Sequence, residues 1–459
     1  MVGVRAPVVV APVSLQLLDR YDPSIASDRA GHAVVLGAGI AGLLAARVLS
    51  DHFERVTIIE RDPLPDTPTA RRGIPQAKQP HVLLESGRKT VEDLMPGFSK
   101  SLLEHGGLLL DWASDMTYYD EGGTLANGVE RIPVYVASRP LVEFVIRRRL
   151  QRRENVTVMA GWQWTGYLFD DQNEQIIGVN LRDGRDEAGL KAELVVDATG
   201  RTSRSPALLD ERGFDRPPVD EVTIGVKYSS IIVRRPADDR RMMFVPPSPP
   251  RTIGGGAFPL EDGRWLLTLQ GVHGDEPPSH PEGFLPFADR LPLRQLREIV
   301  AEHECLSEAV VQHPFPSSLR RRYEEVDSLP AGWIAVGDAI ASLNPVYAQG
   351  MSAAAMEALV LHQTLAEVDD DRLATPFFDR AARVIDNPWR LTAVADFAFS
   401  ETSGDRPFGT TPFNWYLSRL IRVAHHDGRV ANDLSRVMML ERQPRSLLRP
   451  RLLRKALFA

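Results

Sequence analysis

The segment from His32 to Asp62, HAVVLGAGIAGLLAARVLSDHFERVTIIERD, constrains the fold of this chain more than any other. It opens with a short apolar run from Ala33 to Leu36, which is typical of a buried parallel strand. Apolar residues then recur at helical spacing, and a second run, rich in β-branched residues, ends at Glu60. We therefore predict a strand, a helix and a second parallel strand in a unit of about 30 residues.

Glycines fill the turn between the first strand and the helix. Gly37, Gly39 and Gly42 form the pattern GxGxxG, and Glu60 closes the next strand about 20 residues further on, as a dinucleotide-binding unit requires. The first glycine permits a tight turn, the second lets the backbone approach a pyrophosphate, and the third permits close packing of helix on strand. Free N–H groups at the helix N-terminus would bind the phosphates, and the Glu60 carboxylate would bind the adenosine ribose. A glycine-rich turn without a ligand is the alternative, and the pattern alone does not distinguish NAD from FAD.

A second segment, GWIAVGDAIASLNPVYAQGMSAAAMEALVLHQ (332–363), favours FAD. Its apolar strand ends at Asp338, in the place where ligands bind to parallel sheets. A carboxylate there can accept a hydrogen bond from the ribityl hydroxyls of a flavin. Pro345 and Gly350 shape a loop without bulky side chains, and the helix expected from about Ser352 would direct its positive N-terminus at the flavin ring. An aspartate that only caps a helix is the alternative.

The rest of the chain predicts antiparallel strands and further helices. NVTVMAGWQWTGYLF (155–169) and QIIGVNLRD (175–183) alternate like antiparallel strands, and short alternating runs between 215 and 325 predict a sheet of hairpins. We thus predict an α/β protein with a Rossmann-like FAD-binding domain of the glutathione-reductase type, an inserted, mainly antiparallel β-sheet substrate domain and a helical C-terminal region. The predicted segments are an N-terminal extension (1–30), the two parts of the FAD-binding domain (31–214 and 326–375), the substrate domain (215–325) and the helical region (376–459).

Charge and composition exclude several classes of protein. The formal net charge is −7, whereas a nucleic-acid-binding protein normally has a basic excess. Cys305 is the only cysteine, so an internal disulfide and a cysteine-based zinc cluster are excluded, and we expect a cytoplasmic protein. His81, His425 and His426 have no carboxylate or cysteine at ligand spacing, so we predict no metal. The basic run 445–455 is interpreted as a solvated helix packed on the body of the protein in preference to a peripheral membrane contact.

Five motifs together resemble the FAD-dependent monooxygenases of the para-hydroxybenzoate hydroxylase type. They are GxGxxG with Glu60, ARRGIPQAKQPHVLL (Ala70–Leu84), SRPLVEFVIRR (Ser138–Arg148), DATGRTSRSP (Asp197–Pro206) and GDAIASLNPVYAQGMS (Gly337–Ser352). The resemblance extends from about residue 31 to the C-terminus. Within that family the chain is most similar to the polyether polyene epoxidases and, more distantly, to squalene monooxygenase.

The resemblance implies roles for individual residues. Arg139 would contact the pyrophosphate or ribityl region of FAD, and Asp338 would bind the ribityl chain. The backbone near Trp164 would face the adenine, and the loop 72–84 would pass close to the flavin. The cofactor-binding residues expected are thus Gly37, Gly39, Gly42, Glu60, Arg61, Arg139, Trp164, Asp338, Pro345, Gly350 and Met351, the last two beside the isoalloxazine ring.

Three positions depart from the family's pattern. Thr199 precedes Gly200 where the family usually has Asp-Gly, a motif with a role in FAD and nicotinamide binding. Ala341 replaces a histidine, and Ala348 replaces the first glycine of the GxG before the helix. The first departure leaves two routes for the electrons, which come either directly from NADH or NADPH or through a partner flavin reductase.

The reaction that the resemblance implies is external monooxygenation. Reduced FAD reacts with O2 to give a C4a-hydroperoxide, and an electron-rich alkene or aromatic ring takes its distal oxygen to give an epoxide or a hydroxylated product. The protein orients the substrate and excludes water, so no catalytic side chain is assigned. Polar clusters are scarce in the substrate strands, which favours an apolar small-molecule substrate. The candidates for lining its pocket are Tyr228, Phe244, Phe258 and Trp265, with ordinary core packing as the alternative for each.

Three other functions fit parts of the sequence. A flavin-dependent halogenase needs a lysine near the ring and a GWxWxIP motif, whereas this chain reads GWQWTGY (161–167) and has Lys78 in a loop that a flavin contact explains better. A prenyl or isoprenoid reductase would hold an apolar chain beside FAD and transfer hydride. A prenyl-lipid escort without flavin is disfavoured by the intact glycines, Glu60 and Asp338.

Overall fold

The computed structural model describes residues 18–369 and 372–458. More than half of the predicted N-terminal extension, 1–30, lies outside the described residues. Its described part contains a short 3-10 helix, Pro23–Ile25, and leads into the first strand of the fold, which begins at Arg29.

The helices and strands are numbered here along the chain. The strands are β1 (Arg29–Leu36), β2 (Phe53–Glu60), β3 (Leu108–Asp111), β4 (Met116–Asp120), β5 (Gly123–Thr124), β6 (Pro133–Val136), β7 (Val156–Ala160), β8 (Gln163–Phe169), β9 (Ile176–Arg182), β10 (Glu187–Lys191), β11 (Leu194–Asp197), β12 (Val219–Arg234), β13 (Met242–Val245), β14 (Ile253–Leu260), β15 (Arg264–Gly271), β16 (Val311–Arg321), β17 (Trp333–Ala335), β18 (Ala341–Ser342) and β19 (Ser403–Gly404). The α-helices are α1 (Ile40–His52), α2 (Glu85–Leu94), α3 (Phe98–Glu104), α4 (Trp112–Asp115), α5 (Arg139–Leu150), α6 (Ser205–Asp210), α7 (Phe284–Ala288), α8 (Arg294–Glu302), α9 (Gly350–Glu367), α10 (Ala374–Asp396), α11 (Thr410–Ala424), α12 (Gly428–Met438) and α13 (Pro450–Leu457).

A parallel sheet carries the dinucleotide-binding unit. Five described strands pair in the order β17-β11-β1-β2-β7, and every pairing is parallel. The strand–helix–strand unit predicted from the glycine pattern is confirmed as β1, α1 and β2. The residues of β7, predicted as part of an antiparallel strand, instead form the parallel edge strand beside β2. That prediction was wrong because an edge strand with one face exposed shows the same alternation as an antiparallel strand.

The second large sheet contains nine described strands in the order β18-β16-β12-β15-β14-β13-β4-β5, with β19 paired to β12. Its centre is the predicted hairpin sheet, in which β12 pairs antiparallel with both β15 and β16. Strands from outside the interval 215–325 extend it, because β4 and β5 form one edge and β18 forms the other. Helices α7 and α8 cover one face of this sheet with an apolar cluster, and the other face looks toward the parallel sheet and the C-terminal helices.

Helices bury the parallel sheet and complete the molecule. Helix α9 packs against α1 and α2, and α10 packs against α9. Helix α9 begins at Gly350, two residues before the predicted start at Ser352. The predicted helical C-terminal region is confirmed, since α11, α12 and α13 share one apolar cluster. Among the described residues, no helix has the length and apolar character that a membrane crossing requires, and no group of three or more His, Cys, Asp or Glu side chains is placed to hold a metal ion.

Candidate active site

A cavity of about 1100 Å³ lies where three parts of the fold meet. The carboxyl ends of the parallel strands form one wall, the open face of the nine-stranded sheet forms the second, and α10, α11 and α12 form the third. Small-molecule pockets usually measure about 300–1000 Å³, so this cavity has room for a cofactor together with a second ligand.

The turn between β1 and α1 holds the three glycines of the GxGxxG pattern. Gly37 has a φ of +104°, and a Cβ atom added there would lie 2.7 Å from the carbonyl oxygen of Ala198. A Cβ atom on Gly42 would lie 1.9 Å from the carbonyl oxygen of Gly37, so Gly42 lets α1 pack on the turn. For Gly39 the nearest atom to an added Cβ would be Arg139 Nη2, at 4.0 Å. The space beside Gly39 therefore belongs to the cavity, at a helix N-terminus where phosphates bind.

Arg139 faces that space from the first turn of α5, which Ser138 caps. The Arg139 side chain is buried, and its Nη1 atom has no hydrogen-bond partner among the described residues. Burial lowers the pKa of the guanidinium, while the negative charges of Glu143 and Asp338 act in the opposite direction. A buried cation with an unpaired donor opposite Gly39 fits the pyrophosphate of a dinucleotide.

Glu60 ends β2 at the wall of the cavity and is held by three contacts. Its Oε2 atom accepts a hydrogen bond from the backbone N of Ala38 at 2.9 Å and lies 3.0 Å from Arg71 Nη1. Its Oε1 atom accepts a hydrogen bond from the backbone N of Asp62 at 2.9 Å. A carboxylate has about four lone-pair sites, so Glu60 can still accept hydrogen bonds from ribose hydroxyls. Arg61 follows on the rim of the cavity, at an exposed position.

Asp338 lies just beyond β17, in a 3-10 turn that begins at Gly337, and its side chain lines the cavity. Burial raises the pKa of Asp338, and the positive charges of Arg139, Arg201 and Arg321 oppose that shift. Among the described residues the influences on this carboxylate are burial and the three arginine charges, without a hydrogen bond from any donor. An acceptor left open at this strand end fits a ribityl hydroxyl.

The N-terminus of α9 also meets the cavity. Gly350 and Met351 line it together with Pro345, and an 18-residue helix begins there without a side-chain cap. Ala348 has a φ of +54°, a left-handed conformation that favours the glycine which the resemblance leads us to expect at this position. The free N–H groups of this helix provide a positive end close to Asp338.

Trp164, on β8, is the remaining cofactor candidate that lines the cavity. The guanidinium carbon of Arg204 lies 5.0 Å from the centroid of its indole ring. Arg204 Nη2 also donates a hydrogen bond to the Trp164 carbonyl oxygen at 3.1 Å. The cavity thus has a flat aromatic and cationic wall next to the parallel sheet.

The open face of the nine-stranded sheet bounds the other half of the cavity. Tyr228, Phe244 and Phe258 line it, whereas Trp265 does not. Trp265 is fully buried between the sheet and helices α7 and α8, and its Nε1 donates a hydrogen bond to the Arg241 carbonyl oxygen at 3.2 Å. The expectation that Trp265 lines the pocket is therefore corrected: successive side chains of a strand point to opposite faces, and Trp265 points to the covered one.

Helices α11 and α12 close the cavity on the side away from the parallel sheet, which the sequence did not indicate. Their lining residues are Phe413, Asn414, Leu417, Ser418 and Ile421 from α11 and Leu434, Val437 and Met438 from α12. The spacing of Leu417 and Ile421 predicts a buried helix face, but it does not reveal what that face contacts.

A buried carboxyl group stands behind this half of the cavity. Asp396, at the end of α10, accepts hydrogen bonds at its Oδ1 from the Tyr347 hydroxyl at 3.0 Å and from Asn344 Nδ2 at 2.9 Å. Burial raises the pKa of Asp396 to about 7. Tyr347 itself lines the cavity, so its phenol is held from behind by a group that can change its protonation near neutral pH.

The parallel sheet, the glycine turn and the open acceptor at Asp338 together define a protein that binds FAD. Residues 31–375 match the FAD binding domain family, and the chain belongs to it. It is accordingly an FAD-dependent oxidoreductase of a monooxygenase family. The protein Rv3254 of Mycobacterium tuberculosis is 33% identical over 389 residues, which cover 82% of this chain and 82% of that protein.

Several solved structures are similar over nearly the whole chain. The flavin-dependent brominase Bmp2 has a TM-score of 0.65 at 14% identity, covering 94% of this chain and 98% of its own. The p-nitrophenol 4-monooxygenase PnpA of Pseudomonas putida has a TM-score of 0.60 at 15% identity, covering 91% and 100%. The probable FAD-dependent monooxygenase pqsL of Pseudomonas aeruginosa has a TM-score of 0.57 at 17% identity, covering 88% and 100%. At these identities the likeness shows the fold alone.

Proposed function

We propose that this protein inserts one atom of O2 into an electron-rich, largely apolar small molecule, by epoxidation of an alkene or by hydroxylation. The other oxygen atom leaves as water, and NADH or NADPH supplies two electrons, directly or through a partner reductase. The observation that supports this reaction is one continuous cavity, in which Gly39 and Asp338 lie in one half and Phe244 and Phe258 in the other. A substrate bound by the sheet would therefore lie beside the cofactor in the same cavity.

The proposed cofactor contacts follow from the groups of the site that can still donate or accept hydrogen bonds. The N-terminus of α1 and Arg139 would hold the pyrophosphate, Glu60 the ribose, and Asp338 the ribityl chain. FAD, once bound and reduced, supplies the electrons that activate O2. The N-terminus of α9, at Gly350, would stabilise negative charge on the ring. The chain's own part is to bind, orient and enclose, so we assign no side chain as a nucleophile.

The environment of Thr199 bears on the source of the electrons. Its hydroxyl donates a hydrogen bond to Asp197 Oδ1 at 2.6 Å, so this side chain is engaged within its own turn. Thr199 lines the cavity together with Gly200 and Arg201. The surface near Thr199 is thus accessible from the cavity. Direct reduction by a nicotinamide bound there is one of the two electron routes that the experiment compares.

The experiment is an anaerobic titration of the FAD-loaded protein with NADH and NADPH, followed at the visible flavin band. Loss of that band would show that the protein reduces its own flavin, whereas loss only after a flavin reductase is added would show the second route. A library of isoprenoid alkenes and phenols is then incubated under ¹⁸O2. A product that gains one labelled oxygen atom supports the proposal, and a product that gains two hydrogen atoms or a halogen contradicts it.

Halogenation is the rival reaction for which the chain offers a specific observation, the GWQW sequence at 161–164. Such a reaction needs a lysine beside the flavin. Within the described part of the chain no lysine lines the cavity, and Lys78 is exposed. The arrangement of side chains therefore favours oxygenation. A prenyl reductase would use the same cavity, and only the isotope experiment separates it from an oxygenase.

A further inference from the structure

A row of side chains crosses the cavity face of the nine-stranded sheet. His313 on β16 stands opposite Tyr228 on β12, which in turn stands opposite Gln270 on β15. Directly opposed residues on neighbouring strands point to the same face. The three side chains all line the cavity. The row is therefore a polar strip on a wall whose other prominent side chains, Phe244 and Phe258, are apolar.

Two members of this row are buried without a partner. Tyr228 is 5% exposed and Gln270 is 0% exposed. The Tyr228 hydroxyl and both amide atoms of Gln270, Oε1 and Nε2, have no hydrogen-bond partner among the described residues. Buried polar groups are normally paired, and an unpaired one destabilises the fold. Three unpaired atoms on adjacent strands therefore indicate a ligand that supplies their hydrogen-bond partners.

The neighbouring row shows that the sheet can satisfy its own polar groups. Ser230 stands opposite Thr268, one residue pair further along the same face. Ser230 Oγ lies 2.6 Å from Gln79 Oε1 and 3.0 Å from Thr268 Oγ1. The polar side chains of that row are hydrogen-bonded within the chain. Unpaired polar groups therefore distinguish the row of Tyr228 and Gln270 from its neighbour.

The charges around the row select a neutral ligand group. Three of the arginines that line the cavity, Arg61, Arg139 and Arg204, belong to the cofactor half. The fourth, Arg201, is held against β16, where its guanidinium donates hydrogen bonds to the carbonyl oxygen and the hydroxyl of Ser317. On the sheet, the lining carboxylates are those of Asp120 and Glu121 at the β4 edge, and β4 is three strands from the β15 of Gln270, or about 14 Å at the usual strand spacing. Burial lowers the pKa of His313, which favours its neutral form. Asp396 does not itself line the cavity, but its negative charge acts together with burial to raise the pKa of Tyr228, and it therefore disfavours an anion beside that hydroxyl.

We propose that Tyr228 and Gln270 bind a neutral group that carries both a hydrogen-bond donor and an acceptor, such as a phenol, an alcohol or a carboxamide, on an otherwise apolar substrate. The inference rests on the proposed function and narrows its substrate class. The amide of Gln270 offers a donor NH2 group and an acceptor carbonyl oxygen side by side, and Tyr228 adds a hydroxyl. The expectation of an apolar substrate, drawn from the scarcity of polar clusters in the strands, is thereby refined to an apolar molecule that carries one neutral polar group.

Binding to the FAD-loaded protein tests this assignment without requiring turnover. The probes are 2-naphthol, 2-naphthamide, 2-naphthoate and 2-methylnaphthalene, which share one ring system, and binding is followed by the change in the flavin spectrum. We expect 2-naphthol or 2-naphthamide to bind about tenfold more tightly than 2-methylnaphthalene, since a hydrogen bond to a buried partner has that effect. The difference in affinity between 2-naphthol and 2-naphthamide shows whether the site prefers a hydroxyl or a carboxamide. Equal binding of all four probes, preference for the carboxylate, or no binding of either neutral polar probe would overturn the assignment.

Variants connect the preference to the row. Y228F and Q270L should each abolish the preference for the polar probe, while Y119F and Q312L should retain it. Tyr119 does not line the cavity, and Gln312 is exposed in the same sheet, so these controls match the chemistry at other places. A preference that survives both Y228F and Q270L would contradict the proposal.

Stability without a ligand gives an independent check. Because the Gln270 amide is buried and unpaired, Q270L should raise the Tm of the ligand-free protein, and Q312L should not. A lower Tm for Q270L than for Q312L would show that the amide has a structural partner, and the assignment would fail. If the probe preference holds but no labelled oxygen enters any product, the subsite stands and the proposed monooxygenation fails.

Discussion

The carboxylate of Glu60 lies 3.0 Å from the guanidinium of Arg71, and both side chains are buried. Arg71 also lies 2.7 Å from Glu143 through its Nη2 atom and donates a hydrogen bond from that atom to the Ala38 carbonyl oxygen at 3.0 Å. One arginine therefore links the end of β2, the glycine turn and helix α5. It holds in place the carboxylate that we assign to the ribose of FAD.

Substitution of Arg71 by methionine should release FAD and lower stability. The change leaves Glu60 and Glu143 buried without their shared cation, and breaking a buried ion pair costs about 3–5 kcal/mol. The Tm of the ligand-free protein and the FAD content after gel filtration measure the two effects. R72M, at the exposed neighbouring position, is the matched control and should change neither. An R71M protein that keeps both its Tm and its flavin would contradict this role.

Two alanine substitutions should separate folding from cofactor binding within the glycine turn. In G42A the added Cβ would lie 1.9 Å from the Gly37 carbonyl oxygen, so the strand and helix must move apart, at a cost of about 1–3 kcal/mol. In G39A the added Cβ would point into the cavity, 4.0 Å from Arg139 Nη2. G39A should therefore keep the Tm of the ligand-free protein while its FAD dissociation constant rises. FAD fluorescence quenching and thermal melts measure both quantities, and a loss of Tm in G39A equal to that in G42A would be the contrary result.

Stability should depend on pH through Glu357, on α9. This carboxyl accepts a hydrogen bond from the Gly337 backbone N at 2.6 Å, and burial raises its pKa to about 8. An unfolded glutamate has a pKa of about 4.3, so between about pH 4 and 8 the folded state holds a proton that the unfolded state has lost. Stability from this group is therefore lost as the pH rises through that window. E357Q cannot ionise, so the difference between its Tm and that of the wild type should increase as the pH rises. The difference should become constant above about pH 8.

Asp396 provides the comparison, since burial raises its pKa to about 7. The Tm advantage of D396N should also grow with pH, but it should level off about one pH unit earlier than that of E357Q. A Tm difference between variant and wild type that is the same at both ends of the window would refute the assignment for that residue.

The helical wall of the cavity should control which ligands fit. L417W on α11 would fill part of the substrate half, so the naphthalene probes should bind at least about tenfold more weakly while FAD binding stays unchanged. L448W, at a half-exposed leucine outside the cavity, is the control. Equal probe affinity in L417W and the wild type would show that α11 does not limit the substrate space.

The sequence predicted those features whose signals are local. The glycine turn, Glu60 and the strand end at Asp338 each lie within one short segment, and the structure places all of them at one cavity. Features that depend on pairing between distant segments were missed. Trp265 was assigned to the wrong face because its direction depends on the register of β15, and Arg71 was missed because its partners lie on β2 and α5. Tyr228 and Gln270 likewise stand opposite each other only because β12 pairs with β15.

The wall formed by the C-terminal helices has a consequence for how such an enzyme can change over time. Apart from Ala354 on α9, the cavity residues beyond Met351 lie within residues 391–447, whereas the groups assigned to the cofactor all lie earlier in the chain. One contiguous piece of the gene can therefore be altered or exchanged, giving a new preference for the molecule oxidised, while the redox machinery is inherited intact.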